Sequence, residues 1–491
     1  MTTVLALAVY AALLLAAAVL VWRRPVIALS LFVVGLALHN TMGAALYGLG
    51  VRGAALTAIQ AWKELLLAVA LARVAADALR ARALPFAPRP VDAFALAFGT
   101  LVVLYAVLPQ SVLGGHAGPK ALSLGLKHDL APVAAYLLGR SLVLGREELR
   151  RLAWMLVLAA AAVAAIGLVE VYAVPIGWWR GSSVPDYFNR QLGYDYHGTG
   201  GLPENFVFNT GSEAHFLRRL VSVFLSPLAT SYMLVVALLV LASGALARRG
   251  RILVGLGVVC AAGLLWTYSR ASLAALALGL CVLALARRRP ALLGAAGATV
   301  VAAVIFTAVF PSIAPRGNWT QADLVRQRQT AREKPGASGS ALSPNESSAR
   351  SHLQNLRDGI RADLRHPQGY GVGNVGQTAS RTDVPLQAGE SNYTEIAAET
   401  GLLGGALWIA WGLALLVGLV AAARREGDAL AAGLAASFAA VLALAVQTDV
   451  IGDPWIAYCL WGLGGALVAP AALRAPARAA ARVRAPVVER A

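Results

Sequence analysis

Long apolar runs recur along the whole chain and constrain its fold more than any other feature. Thirteen stretches are apolar enough to be membrane-spanning helices, at about 3–22, 26–47, 56–79, 93–109, 121–143, 152–174, 219–246, 252–269, 271–286, 291–310, 401–422, 429–450 and 455–473. A helix needs about 20 apolar residues to cross a bilayer. The sequence therefore predicts an all-α polytopic membrane protein with about 12–13 transmembrane helices.

Composition excludes the other broad classes. Of the 491 residues, 58% are hydrophobic and 14% are charged, whereas a soluble domain carries about 25% charged residues. Cys260, Cys281 and Cys459 all lie inside apolar runs, which argues against a disulfide scaffold. The N-terminal segment has no charged n-region and no cleavage site, so we expect a first transmembrane helix rather than a signal peptide.

The net charge of +17 follows from where the basic residues lie. Most of them cluster in short connections between apolar runs, as the positive-inside rule requires of cytoplasmic loops. If every segment crosses once, these connections and the basic tail 474–491 lie on one side. The N-terminus is then outside, the C-terminus is cytoplasmic, and no nucleic-acid partner is expected.

Two long connections fall on the opposite side and divide the chain. We predict N-terminal transmembrane helices over 1–174, a loop over 175–218, transmembrane helices over 219–310, a large loop over 311–400 and C-terminal helices over 401–473. The large loop precedes the last three helices. It is expected to be partly helical, because leucine and isoleucine recur at helical spacing between 349 and 364. A loop of this length is usually functional.

Ionisable residues beside the apolar segments are the first functional candidates, because charges at membrane depth are costly. Arg218 and Arg219 lie where the first long loop re-enters the membrane, and Arg270 lies between two apolar stretches with almost no turn. An arginine fork suits a phosphate, since it binds bidentately and keeps its proton. For Arg218 and Arg219, an interfacial pair that snorkels toward the headgroups is the alternative.

Acidic and histidine residues form a second group of candidates. Glu390, Glu395 and Glu399 stand at the start of the apolar helix near 401–422. For Glu395 and Glu399 the alternative is ordinary acid enrichment at a helix N-terminus. His352 and His366 lie in the large loop without a recognisable metal-ligand spacing, so no metal is expected.

Two further features are interpreted as structural. The turn GYGVGNVG at 369–376 lacks the preceding strand and the following Lys-Ser/Thr of a nucleotide-binding loop. Lys63 and Glu64 lie inside the third apolar segment. Because adjacent residues do not face each other on a helix, each is expected to pair with a neighbouring helix.

Three pieces, in this order, resemble the O-antigen ligase and polysaccharide polymerase superfamily. They are RRLVSVFLSPLA at 218–229, TYSRASLAAL at 267–276, and RDGIRADLRHPQGYGVGNVG followed by ESNYTEIAAETGLLGG. The resemblance implies a GT-C-like glycosyltransferase of the bacterial inner membrane, with its active site facing the periplasm. Its substrate would be a glycan on undecaprenyl diphosphate, and it would invert the anomeric carbon without a metal or other cofactor. Implied partners are membrane lipids, a chain-length regulator and a flippase.

The resemblance assigns roles to the arginines. Arg219, Ser222 and Phe224 match an "R-x-x-[GS]-x-F" pattern, and Arg270 matches a "[ST]-R" hairpin. Both arginines resemble residues that hold the diphosphate, and Arg218 lies beside them.

The resemblance also points to a general base. The ligase branch carries a histidine eleven residues before the glycine of "ETG", where this chain has Glu390. This departure favours the polymerase-like branch, in which Glu390 would accept the proton of the attacking hydroxyl. Candidate residues facing the substrate are His352, Tyr370, Asn392 and Tyr393. Six aromatic residues are candidates for sugar stacking or, equally, for an interfacial belt: Trp178, Trp179, Tyr187, Phe188, Tyr194 and Tyr196.

The expected function is polymerisation of lipid-linked repeat units of an O-antigen or exopolysaccharide. Within the same class, the alternatives are an O-antigen ligase that modifies the lipid A-core of lipopolysaccharide and a protein O-oligosaccharyltransferase. Alternatives from other classes are a polysaccharide transporter or flippase and a structural assembly subunit. A transporter predicts charges along a central path and inverted repeats, and the sequence shows no convincing internal repeat.

Overall fold

The chain forms a bundle of α-helices, seen here in a computed structural model. The structure describes residues 2–194, 202–203, 205–210, 212–246, 250–333, 343, 347–385 and 389–468. The predicted tail 474–491 and Tyr196 lie outside these residues. The first nine helices are α1 (Thr2–Arg23), α2 (Val26–Gly35), α3 (His39–Gly48), α4 (Gly53–Gln60), α5 (Trp62–Ala81), α6 (Pro90–Val107), α7 (Gln110–Leu113), α8 (Pro119–Ser141) and α9 (Arg146–Ala173).

Twelve further helices are described after α9. They are α10 (Ile176–Gly181), α11 (Val184–Asp186), α12 (Pro227–Ser243), α13 (Gly250–Trp266), α14 (Arg270–Arg287), α15 (Ala291–Ile313), α16 (Gln321–Glu333), α17 (Ser347–Arg365), α18 (Gly376–Ser380), α19 (Asn392–Glu426), α20 (Ala429–Leu444) and α21 (Trp461–Val468). Single π-helical turns span Tyr187–Gln191 and Ile456–Leu460.

The helices confirm the predicted all-α polytopic class. Each of the thirteen apolar segments contains helix, and six of the described helices are long and apolar enough to span a membrane. The number rises to eight if two bent pairs each form one span: α2 with α3, bent by 62°, and α4 with α5, bent by 41°. The prediction of 12–13 crossings stays a prediction, because several apolar helices are shorter than a full span.

The segment predicted as a helix from 219 begins differently. A short antiparallel sheet, in the order β1-β2-β3, joins the two long loops through β1 (Val207–Phe208), β2 (Phe216–Arg218) and β3 (Arg316–Gly317). A single 3₁₀ turn spans Ser222–Phe224, and Ser222 and Leu225 adopt positive φ angles of 51° and 54°, which a continuous α-helix does not tolerate. Helix α12 starts only at Pro227, where Ser226 accepts a hydrogen bond from the amide of Ala229.

The large loop is partly helical, as predicted, and its glycine-rich turn packs into a break in α19. Gly401 has φ 74° and ψ 173°, so the helix is interrupted there. The amides of Tyr370 and Gly371 donate to the carbonyl oxygens of Ala398 and Glu399, at 2.7 and 3.0 Å. The turn therefore satisfies the backbone of the break, in agreement with its structural interpretation.

Lys63 and Glu64 each pair with a neighbouring helix, as predicted, and they also pair with each other. Their charged atoms lie 3.4 Å apart, although the residues are adjacent. Both stand in the first turn of α5, directly after the bend, where the Lys63 ammonium folds back to the carbonyl of Gln60. Each also reaches a neighbouring helix, Lys63 to His39 at 3.3 Å and Glu64 to Lys127 at 3.3 Å.

The centre of the bundle is formed by α12, α20 and α21, which are buried on nearly every face. Such all-round burial is expected of helices that are apolar all round. Trp408 of α19 stacks on Trp461 of α21, with ring centroids 5.6 Å apart. A buried ion pair between Arg140 and Asp92, at 2.7 Å, ties α8 to α6. This core supports the residues described next.

Candidate functional site

Arg219 and Arg270 come from distant parts of the sequence and meet at the start of α14. The Arg219 Nε–H donates to the carbonyl of Thr267 at 2.8 Å, in the three-residue connection 267–269 that precedes Arg270. The amide of Leu220 donates to the carbonyl of Trp266 at 3.0 Å. Backbone and side chain thus fasten the first arginine motif to the second.

Arg270 is the first residue of α14, and its half-buried guanidinium lies 5.8 Å from the centroid of the Phe208 ring. The first amides of a helix lack intrahelical acceptors, and the helix dipole adds positive potential there. Helix N-termini therefore bind phosphate readily. Arginine and helix start together make this end of α14 suited to an anion.

The electrostatic environment of Arg219 also favours a bound anion. Arg219 lies before α12, outside the spanning helices, and its side chain is buried. Burial and then the positive charge of Arg270 lower the pKa of Arg219 to about 10. An arginine remains protonated at neutral pH, so two like charges are held close together. A bound anion would relieve their repulsion.

Local backbone strain accompanies both motifs. Tyr268, just before Arg270, and Ser222, just after Arg219, have φ values of 50° and 51°. A non-glycine residue in this region costs on the order of 1–3 kcal/mol, and such strain concentrates at functional sites. The Tyr268 ring is held by stacking on Phe310, with centroids 4.0 Å apart. The surrounding packing thus keeps the connection in its strained shape.

Arg218 has different surroundings. It is buried and forms an ion pair with Glu170 of α9 at 2.8 Å, and it also donates to the carbonyl of Val174. The interfacial alternative was wrong for both neighbouring arginines, because each is buried inside the protein. The charge of Arg218 is already balanced, so its predicted contact with a diphosphate stays a prediction with less geometric support than that of Arg219.

An apolar groove of about 1020 Å³ begins at the same strained segment. Residues of α3, α9 and α10 and of the turn before α12 line it. Its lining includes Ala45, Ile166, Val169, Trp178, Val223 and Leu225. The groove has the size and apolar character of a pocket for a hydrocarbon chain.

His352 and Glu390 form a second group of candidate functional residues, separate in sequence from the arginines. The Nδ1 atom of His352, in α17, lies 2.7 Å from the Oε2 atom of Glu390, just before α19. The two side chains are 36% and 50% exposed, so both can be reached from solvent. Helix α17 can approach α19 because a Cβ on Gly359 would stand 2.7 Å from the Thr394 hydroxyl. The sequence identified both residues but not their contact.

The other residues predicted to face the substrate make contacts within the protein. Asn392 is buried and donates to Asp449 at 3.3 Å, and the Tyr393 hydroxyl donates to the carbonyl of Leu442 at 2.8 Å. Tyr370 stacks on His366, with centroids 4.0 Å apart. These contacts give all three candidates a supporting part in the structure, and their contact with substrate stays a prediction.

Several aromatic candidates are inside the protein. Trp179, Tyr187 and Phe188 are buried in an apolar cluster with α3 and α4, so their faces are not available to a sugar. Trp178 is 57% exposed and keeps both predicted possibilities.

The cluster that Glu395 and Glu399 form with distant residues is the main feature that the sequence analysis missed. Glu395 and Glu399 are each 5% exposed and lie inside the protein, unlike ordinary acids on a helix start. They adjoin His128, Asp129 and Asp449, which come from distant segments and had no spacing to connect them. Asp363 of α17 is also buried, and burial raises the pKa of its carboxyl to about 7.

The fold and these sites define a multi-pass membrane protein with a buried arginine site beside an apolar groove. Residues 255–409 match the O-antigen ligase family model. The match agrees with the resemblance seen in the motifs, and it covers residues 255–409 of the chain. Comparison with curated proteins gave no match. Arg270, His352 and Glu390 lie within the matched range, and Arg218 and Arg219 precede it.

Proposed function

We propose that this protein polymerises glycan repeat units carried on undecaprenyl diphosphate, at the periplasmic face of the bacterial inner membrane. The juxtaposition of Arg219 and Arg270 at the start of α14 carries the proposal. Two arginine forks and a helix N-terminus form a cradle for two adjacent phosphates. The family match supports the glycan-transfer class over a transporter.

The apolar groove supports a lipid-linked donor. Ser222, Val223 and Leu225 line its end and follow Arg219 by only a few residues. A diphosphate held by the arginines would therefore have its hydrocarbon chain beside the groove and its glycan directed toward the loops. Burial of apolar chain atoms stabilises such a complex by about 25 cal/mol per Å².

The proposed reaction is a single displacement at the anomeric carbon of the donor. The hydroxyl oxygen of the acceptor sugar forms the new bond as the carbon–oxygen bond to the diphosphate breaks. The diphosphate leaves with the electron pair, and Arg219 and Arg270 stabilise its charge without a metal at this position. The hydroxyl proton passes to Glu390, beside His352, and the anomeric configuration inverts.

Polymerisation is distinguished from ligation by the product. We expect the purified full chain in nanodiscs to convert a single lipid-linked repeat unit into a ladder of longer lipid-linked glycans, resolved by gel electrophoresis. We expect a ladder because Glu390 stands where the ligase branch has its histidine, a difference that favours the polymerase-like branch. A control reaction contains the same lipid-linked repeat unit together with lipid A-core as an acceptor. Transfer to lipid A-core in place of a ladder would establish ligation and contradict the polymerase assignment.

The proposed orientation predicts where reporters will be found. Alkaline phosphatase inserted near Ser340 should be active, because the large loop would be periplasmic, whereas a fluorescent protein fused after Ala491 should fluoresce in the cytoplasm. Phosphatase inserted before Arg146, in a connection expected to be cytoplasmic, is the matched inactive control. If the reporter near Ser340 and the reporter after Ala491 both lie in the cytoplasm, the proposed periplasmic active site is excluded.

A further inference from the structure

We propose that His128, Glu395 and Asp449 bind a Zn²⁺ ion. These residues belong to α8, to α19 and to the segment after α20. One ligand atom from each lies within 4.8 Å of the other two. Zinc binding here would not depend on the proposed transferase reaction, and it would differ from the sequence-based expectation that no metal is bound.

Each ring nitrogen of His128 faces a carboxylate, an arrangement that allows one nitrogen to bind a metal. Its Nδ1 atom lies 2.8 Å from Asp129 Oδ1, while its Nε2 atom lies 3.0 Å from Asp449 Oδ2. Histidines that bind metal commonly donate their other ring N–H to a carboxylate, which fixes the tautomer. Asp129 would take that orienting part, and Nε2 would carry the ion.

Asp449 is held in position by its other carboxylate oxygen. Its Oδ1 accepts the amide of Gly452 at 2.9 Å and the side-chain amide of Asn392 at 3.3 Å. These bonds leave Oδ2 directed at His128. In a tetrahedral zinc site, ligand atoms lie roughly 3.4 Å from one another, given metal–ligand distances of about 2.0–2.2 Å. The observed spacing needs only small side-chain shifts to reach this value.

Glu395 supplies the observation that points to a ligand. Its side chain is 5% exposed, and its carboxylate makes no hydrogen bond within the described part of the chain. A buried carboxylate without a partner is costly, and pairing with a cation removes that cost. The carboxylate faces a cavity of about 10 Å³ that His128, Asp129 and Glu399 also line. A cavity of this size has room for one water molecule beside the ion.

The donor set selects the kind of cation. Mg²⁺ and Ca²⁺ prefer sites built from oxygen alone, whereas an imidazole among the ligands favours a transition metal, of which we propose zinc. Three protein ligands leave a fourth position for water, as in zinc sites that are open to solvent. His128 keeps 17% of its side chain exposed, so an ion can enter from that side. Bound there, the ion would join α8 to α19 and to the segment after α20.

The test uses the untagged full chain in nanodiscs, stripped with a chelator and titrated with Zn²⁺ by calorimetry. We expect one ion per chain, with Mg²⁺ failing to compete. Glu395→Gln and Asp449→Asn should each weaken Zn²⁺ binding at least about 100-fold, and Asp129→Asn about 10–100-fold. Asp363→Asn is the matched control, because it also neutralises a buried carboxylate but lies outside the site; its affinity should be unchanged.

X-ray absorption of the wild-type zinc complex keeps the test decisive if a variant fails to fold. One imidazole with oxygen ligands at about 2.0–2.2 Å is expected. A stripped wild-type chain that binds no zinc, or a spectrum without imidazole, would overturn the proposal. Equal zinc affinity in wild type and the folded ligand variants would do the same. The cluster would then hold protons in place of a metal.

Discussion

Replacing Arg219 or Arg270 by alanine is expected to lower glycan transfer by about 10²–10³-fold. This is the usual cost of removing one preorganised donor that stabilises transition-state charge. Lysine at either position should recover little, because a point charge does not reproduce two parallel hydrogen bonds from a guanidinium. The measurement is turnover of a purified lipid-linked repeat unit, with the amount of folded protein in the membrane determined separately.

Arg316 provides a matched control for the arginine variants. It lies in β3, next to the strand that precedes Arg219, but its side chain is exposed. Arg316→Ala removes the same charge from the same small sheet, so it should leave turnover nearly unchanged. Wild-type turnover in both the Arg219→Ala and Arg270→Ala variants would remove the diphosphate assignment.

Arg218→Ala should behave differently from its neighbour. Removing Arg218 leaves the Glu170 carboxylate buried without its ion-pair partner, a change that commonly costs about 3–5 kcal/mol. Folded protein in the membrane should therefore fall for Arg218→Ala, whereas Arg219→Ala should fold and lose turnover. The yield of folded protein would distinguish Arg218→Ala, and the turnover per folded molecule would distinguish Arg219→Ala.

The sequence predicted what depends on local pattern. Apolar length predicted the helical class, and leucine spacing predicted α17 to within a few residues of Ser347–Arg365. The absence of a turn between two apolar stretches predicted a short connection beside Arg270, and the connection 267–269 directly precedes it. Each of these features is determined by residues close together in the chain, so one sequence was enough.

The rest required the tertiary structure. Apolar composition favoured a helix from 219, but contacts with distant segments, such as the bond from the amide of Arg218 to the carbonyl of Pro315, keep this stretch extended. His128 and Asp449 meet at 3.0 Å although they are far apart in sequence. A break at Gly401 brings the glycine-rich turn against α19. No periodicity or spacing rule encodes such encounters.

The contact between His352 and Glu390 leads to a prediction about the general base. Glu390→Gln keeps the size of the side chain but cannot accept a proton, so turnover should fall by about 10²–10⁴-fold. His352→Gln should lose a similar amount if the histidine, 2.7 Å from the carboxylate, orients Glu390 for proton transfer. If the two residues act as one unit, the double variant should be little worse than either single variant.

The readout is the length and amount of glycan made by purified protein, together with binding of the lipid-linked donor. Donor binding should change little in either variant, because the arginines and the groove supply it. Glu390→His should retain part of the activity, since an imidazole accepts a proton at neutral pH. Asp358→Asn is the control, an exposed carboxylate of α17 that pairs with Arg361 at 3.1 Å, and it should be silent. Multiplicative losses in the double variant would show two separate functions. Normal polymer from Glu390→Gln would mean that Glu390 only precedes α19, and His352 would then be the remaining candidate base of this pair.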